Sequence, residues 1–211
     1  MGKNMKLGVK LREKQLAIQL EEAKLLWESG NRRIAQALIE YLLEEATARD
    51  RSSWLALQGQ WLAETRTQRS EIILNSYFLR AVVESNKQKL DSNEQSQIYF
   101  RLAQFLHTLY TSLQDQKESP ENVAKQKMNE LTEQQLKMQE KELKSKSKTS
   151  QQQRDLHRQV TVLRNYVNGD QAASNKIEKD LADYSLQAVE AYLKCMVSVS
   201  SQQPLSLAVH C

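Results

Sequence analysis

Helix breakers are scarce in this chain. Five glycines and two prolines are all that 211 residues contain, and the glycines are scattered at positions 2, 8, 30, 59 and 169. A sheet protein needs turn residues at short, regular intervals, and they are missing here. Leu, Ala, Gln, Glu and Lys, which lose little on entering a helix, fill the space between. Hydrophobic residues at 40% supply a core and charged residues at 27% supply a solvated face. The composition predicts an all-α fold of long helices.

Apolar periodicity divides the chain into helices. Leu16, Leu20, Ala23 and Trp27 share one face, and Gly30–Asn31 suits a left-handed stop. Ala35, Leu38, Leu42 and Ala46 mark a second helix, joined by a connection short enough to make the two antiparallel neighbours. Ser52 or Ser53 is expected to cap a third, striped by Trp54, Leu57, Trp61 and Leu62. Gly59 in its middle costs about 1 kcal/mol relative to alanine, so a neighbouring helix must pass close by. Ser70 is expected to cap a fourth, with Leu74, Tyr77–Phe78 and Ala81–Val82 inward. Asp91–Glu94 has capping-box spacing ahead of a stripe at Ile98, Leu102, Phe105, Leu109 and Leu113.

Beyond Ser119–Pro120, a cap followed by a first-turn proline, the apolar seam narrows. Residues 1–118 therefore read as helical hairpins stacked as a solenoid, and 119–168 as a long polar helix, either continuous or, as favoured, broken by a basic hinge within 144–154 near Ser145–Ser150. Asn168–Gly169–Asp170 is expected to stop a helix, so 169–200 reads as a separate C-terminal helix carrying Ile177, Leu181, Tyr184, Ala188 and Cys195. Residues 201–211 read as a truncated tail.

Little in the chain carries chemistry. His107, His157 and His210 are far apart and fit no metal spacing. Cys195, between Tyr192 and Val199, reads as a small buried hydrophobe rather than a nucleophile. With Cys211 as the only other cysteine there is no disulfide framework, and a reducing compartment is expected. Glu44–Glu45 lie on a solvated face with nothing to couple them. Asp155–Arg158 superficially matches a kinase catalytic loop, but Gln159 stands where its aspartate belongs. Lys144, Lys146, Lys148 and Arg154 lack the interleaved aromatics of a nucleic-acid surface and read as a solvated linker. Thr67, Ser96, Ser150 and Ser201 each precede Gln, at about the frequency chance provides. The expectations are no catalytic, cofactor or metal residue, no cofactor, no direct nucleic-acid contact, and no membrane partner, since no stretch is long and apolar enough to span a bilayer.

One ordered set of residues goes further. Gly59-x-Trp61-Leu62-Ala63-Glu64-Thr65, then Ile73, Tyr77 and Ala81–Val82 at four-residue steps, resembles the FAT region of the phosphatidylinositol-3-kinase-related protein kinases. Glu22–Ala23 with Leu26–Trp27, Leu102–Ala103 with Phe105, Thr108 and Tyr110, and Ala188–Glu190 with Tyr192 and Cys195 are similar to flanking helices of that region. The resemblance covers most of residues 20–197. It implies a tetratricopeptide-like α-solenoid that scaffolds and regulates a serine/threonine kinase of the DNA-damage response, in the nucleus or cytoplasm. The implied partners are the kinase domain, other helical repeats of the parent protein and a second copy in a homodimer. The catalytic and activation loops have no counterpart here, so no catalytic residue carries over and this chain is not expected to be an enzyme. The rival expectation is a free-standing helical-repeat adaptor that binds protein partners.

Overall fold

The computed structural model describes residues 2–144 and 150–200. Its elements are α1 (Gly2–Glu28), α2 (Arg32–Glu45), α3 (Ala48–Thr65), α4 (Ser70–Ile73), a π-helical turn (Leu74–Leu79), α5 (Arg80–Gln88), α6 (Ser92–Glu118), α7 (Pro120–Leu143) and α8 (Ser150–Ser200). The fold is all-α, as the scarcity of breakers predicts. Two compact units are present: residues up to Leu106 with those from Gln187 onward, and His107–Leu186.

In the first unit, consecutive helices pack on one another: α1 on α2, α2 on α3, and α3 on the run from α4 to α5. α1 ends in a Schellman motif. Gly30 is left-handed at φ +87°, its N–H reaches the Trp27 carbonyl at 3.1 Å, and the Asn31 N–H reaches the Leu26 carbonyl at 2.9 Å. The reversal brings Ala23 of α1 against Ala35 and Ile39 of α2 and Leu57 and Trp61 of α3. A second cluster joins Leu16, Leu42, Ala46 and Trp54. Both are the stripes read from periodicity, with Ile39 added. The central helix is α3, buried almost all round from Trp54 to Leu62, so even its Gln58 is only 3% exposed and donates to Glu40 Oε1 at 3.4 Å.

Two expected caps are corrected. α3 starts at Ala48, not at Ser52, and its cap is Thr47, whose hydroxyl accepts from the Asp50 N–H at 3.3 Å. Ser52 and Ser53 sit inside the helix and donate back to the carbonyls of Arg49 and Asp50. Ser70 is the first residue of α4 rather than its cap, and the cap position, Arg69, makes no side-chain bond. The other two caps stand. Asp91 Oδ1 accepts from the Glu94 N–H at 2.9 Å, and Ser119 Oγ accepts from the Asn122 N–H at 3.3 Å.

In the second unit α7 carries no buried residue, in keeping with its polar sequence. The expected stop at Asn168–Gly169–Asp170 is absent, because α8 runs unbroken from Ser150 to Ser200. Val167 before the glycine and Ser174 and Ile177 after it stay half-buried in one continuous seam. That shared seam outweighs the roughly 1 kcal/mol that a helical glycine costs. Nothing lies within 4 Å of where a Gly169 Cβ would stand. Gly169→Ala is therefore expected to stabilise the chain by about 1 kcal/mol, read as a higher urea midpoint. The expected hinge at Ser145–Ser150 falls largely outside the described residues.

Candidate interaction surface

His107 and His157 are exposed, and their backbone carbonyls accept from Thr111 and Thr161, one turn on. Among the described residues no group of His, Cys, Asp or Glu is arranged to hold a metal ion. Glu45 is engaged by Arg12, so the Glu44–Glu45 pair is a surface ion-pair site rather than an acid–base couple. Asp155–Arg158 lies on regular helix, with Leu156 buried in the seam and Asp155 accepting from Gln151 at 3.5 Å. Burial pulls the Arg101 guanidinium below its ordinary value, but it remains a cation at neutral pH.

Of the Gln-flanked hydroxyls, Ser96 is 5% exposed and donates to the Asn93 carbonyl at 2.7 Å, so a modifying enzyme has no access to it. Thr67 is exposed beside Thr65. Lys144 follows α7 as its exposed C-terminal cap, and Arg154 is exposed on α8. Lys146, Lys148, Ser201, His210 and Cys211 lie outside the described residues.

Cys195 is fully buried, as expected of a small hydrophobe on this face of α8.

The first unit is ordered instead by aromatic layers. Trp27 and Trp61 stack with centroids 4.6 Å apart and planes 5° from parallel. Arg32 covers the Trp27 ring at 5.2 Å, and Trp27 Nε1 donates to Glu64 Oε2 at 3.2 Å. On the opposite side of α3, Gly59 faces Tyr77 and Phe78. Phe78 in turn stacks on Phe105 of α6 at 4.9 Å. At the end of α8, Tyr192 meets Phe100 edge-on at 6.5 Å, and Lys194 lies over Tyr99 at 5.7 Å. The pairs are tertiary, so sequence reasoning located the residues without their partners.

The same unit leaves apolar side chains outward. Leu11, Ile18 and Leu25 recur every seven residues along α1, and Ile34 and Tyr41 do so along α2; all are more than half exposed. Val189, Leu193 and Met196 repeat the pattern at the end of α8. Helix faces of this kind bind other helices. Among the described residues no helix is long and apolar enough to cross a membrane.

The fold and its surfaces thus define an all-helical packing module. The comparisons with known proteins sharpen that class. The chain matches no protein-family model. It is 29% identical over 189 residues to the serine/threonine-protein kinase ATM of Arabidopsis thaliana, which covers 84% of this chain and 5% of that protein. It is 23% identical over 196 residues to the serine-protein kinase ATM of Sus scrofa, covering 85% of this chain and 6% of that one. Over most of its length the chain is an ATM-like helical segment, and it spans about a twentieth of the length of the curated relatives it matches.

Proposed function

We propose that this chain is a FAT-type scaffold and regulatory segment of an ATM-like serine/threonine kinase that serves the DNA-damage response in the nucleus. Its consecutive helix pairs form an arc of a tetratricopeptide-like solenoid that holds the kinase domain and stacks on further helical repeats of the same protein. Its role is mechanical, and the catalytic loops belong to another part of the polypeptide. The observation that carries this reading is the pair of ATM relatives, each of which aligns with nearly all of this chain and only a small fraction of itself. The outward apolar faces of α1 and α2 support it, because a helical repeat stacked on both sides needs apolar residues on both.

A free-standing adaptor is the competing reading, and size separates the two. An antibody raised against the chain should detect, in cell extract, a polypeptide many times heavier than 24.4 kDa. A single band at 24.4 kDa would favour the adaptor. An ATP-dependent kinase assay on the chain alone is expected to be blank, and measurable phosphoryl transfer would overturn both readings.

A further inference from the structure

The second unit contains an antiparallel helix pair whose seam changes character halfway along. On α8, Leu156, Val160, Leu163 and Val167 follow one another at alternating four- and three-residue steps. Asp170 and Ser174 continue the same rhythm as a polar step, and Ile177 resumes the apolar one. All seven are buried or half-buried. On α7, Asn122, Asn129, Leu136 and Leu143 stand seven residues apart, and all four are half-buried. Both helices therefore carry a seam that is polar at one end and apolar at the other.

Two ion pairs bracket the alignment of α7 on α8, Lys125 with Asp170 at 3.1 Å and Glu140 with Arg164, and Lys117 in the last turn of α6 adds a third contact to α8 through Glu178 at 3.2 Å. In that alignment Asn122 and Asn129 line one cavity with Asp170 and Ser174. The Glu140–Arg164 pair places Leu136 and Leu143 alongside the apolar half of α8. The polar layer is not optimised for stability. Asn129 Oδ1 and Asp170 Oδ2 are both buried without a hydrogen-bond partner, and the Asp170 side chain is only 16% exposed.

We propose that the Lys125–Asn129–Asp170–Ser174 layer is a register lock, which holds α7 against α8 in one alignment and penalises its heptad-shifted alternatives. Apolar seams with a seven-residue repeat tolerate a slip of one heptad, because each leucine finds an equivalent site. Here a slip sets Leu136 against Asp170 or Asn129 against Val167, and each strands a buried polar group among apolar ones. The lock thus gives up stability for a single arrangement.

The test uses the full chain with spin labels on ketone-bearing unnatural residues at exposed positions Lys141 and Gln171, which leaves Cys195 untouched. Pulsed dipolar spectroscopy should give one distance for the parent. Moving the layer by one heptad, with Asn129→Leu, Thr132→Lys and Leu136→Asn together, should slide α7 so that the new polar pair meets Asp170. The helix rise makes that a displacement of about 10 Å along the seam. Erasing the layer, with Asn129→Leu and Asp170→Leu, should raise the melting temperature and broaden the single distance into two or more. An unchanged distance in a helical relocated variant overturns the proposal. So does a single unchanged distance, or a loss of helicity, in the erased one.

Discussion

Gly59→Val is expected to destabilise the first unit by about 3 kcal/mol, and Gly59→Ala by about 1 kcal/mol despite the better helix propensity of alanine. The geometry decides the sign. A Cβ on Gly59 would stand 2.9 Å from Tyr77 Cβ, and 3.2 and 3.3 Å from Phe78 Cε2 and Cζ. The nearest of these atoms is attached directly to the backbone, so no rotamer change moves it away. To accept even a methyl group, the π-helical turn must shift bodily relative to α3. Overpacking of this kind costs about 1–3 kcal/mol, against the roughly 1 kcal/mol that alanine gains in helix propensity. Urea unfolding followed by tryptophan fluorescence reads the effect, since Trp54 and Trp61 lie on the same helix. A Gly59→Ala chain with a raised midpoint would mean that the crossing is looser than these distances.

The contrast between Gly59 and Gly169 shows what a sequence discloses. Both are helical glycines carrying the same propensity penalty, and composition cannot separate them. Gly59 was legible as a crossing because Trp54, Leu57 and Trp61 on either side promise burial, and the structure places Tyr77 and Phe78 there. Gly169 resembled a stop because Asn168 and Asp170 flank it, yet the seam on both sides keeps one heptad rhythm through it. Longer-range periodicity would have found that continuity where dipeptide chemistry missed it.

The buried stripes of α1, α2, α3 and α6 were legible for the same reason: a 3.6-residue repeat leaves a record over several turns. The π turn at Leu74–Leu79 left none, since one widened turn is too short to alter a period. Thr47 was hidden by a polar neighbourhood that reads as a loop, although Thr47 and Asp50 have the spacing of a cap and the residue that donates to it. The Trp27–Trp61 stack joins residues from α1 and α3, and nothing local marks either as the partner of the other. Of the interaction surface, the outward residues of α1 could be seen as apolar. Which face they occupied depended on α2 and α3 taking the other.

The largest loss is expected at the next residue in that layer: Phe78→Ala should cost about 3–5 kcal/mol, a large share of the 5–15 kcal/mol that holds an ordinary domain. Phe78 is 1% exposed, packs beneath Gly59 and stacks on Phe105 with centroids 4.9 Å apart. Its removal deletes the transfer free energy of a ring and the stacking contact together. The cavity cannot close from either side. Gly59 has no side chain to extend into it, and Phe105 is held by its own helix with Leu102 and Leu106 buried beside it. Phe78→Leu refills much of the volume and should recover more than half of the loss. The two positions touch, so their effects should not add. With the ring gone, Gly59→Ala keeps its conflict with Tyr77 Cβ but loses those with Phe78, and should cost less than it does in the parent. A double-mutant cycle in urea measures that coupling directly. Additive costs would show that the Tyr77 backbone alone sets the spacing of α3 from the π turn. A Phe78→Ala loss below about 1 kcal/mol would show that the turn collapses to fill the space, and with it the packing of the π turn against α6 would be softer than the stacked rings imply.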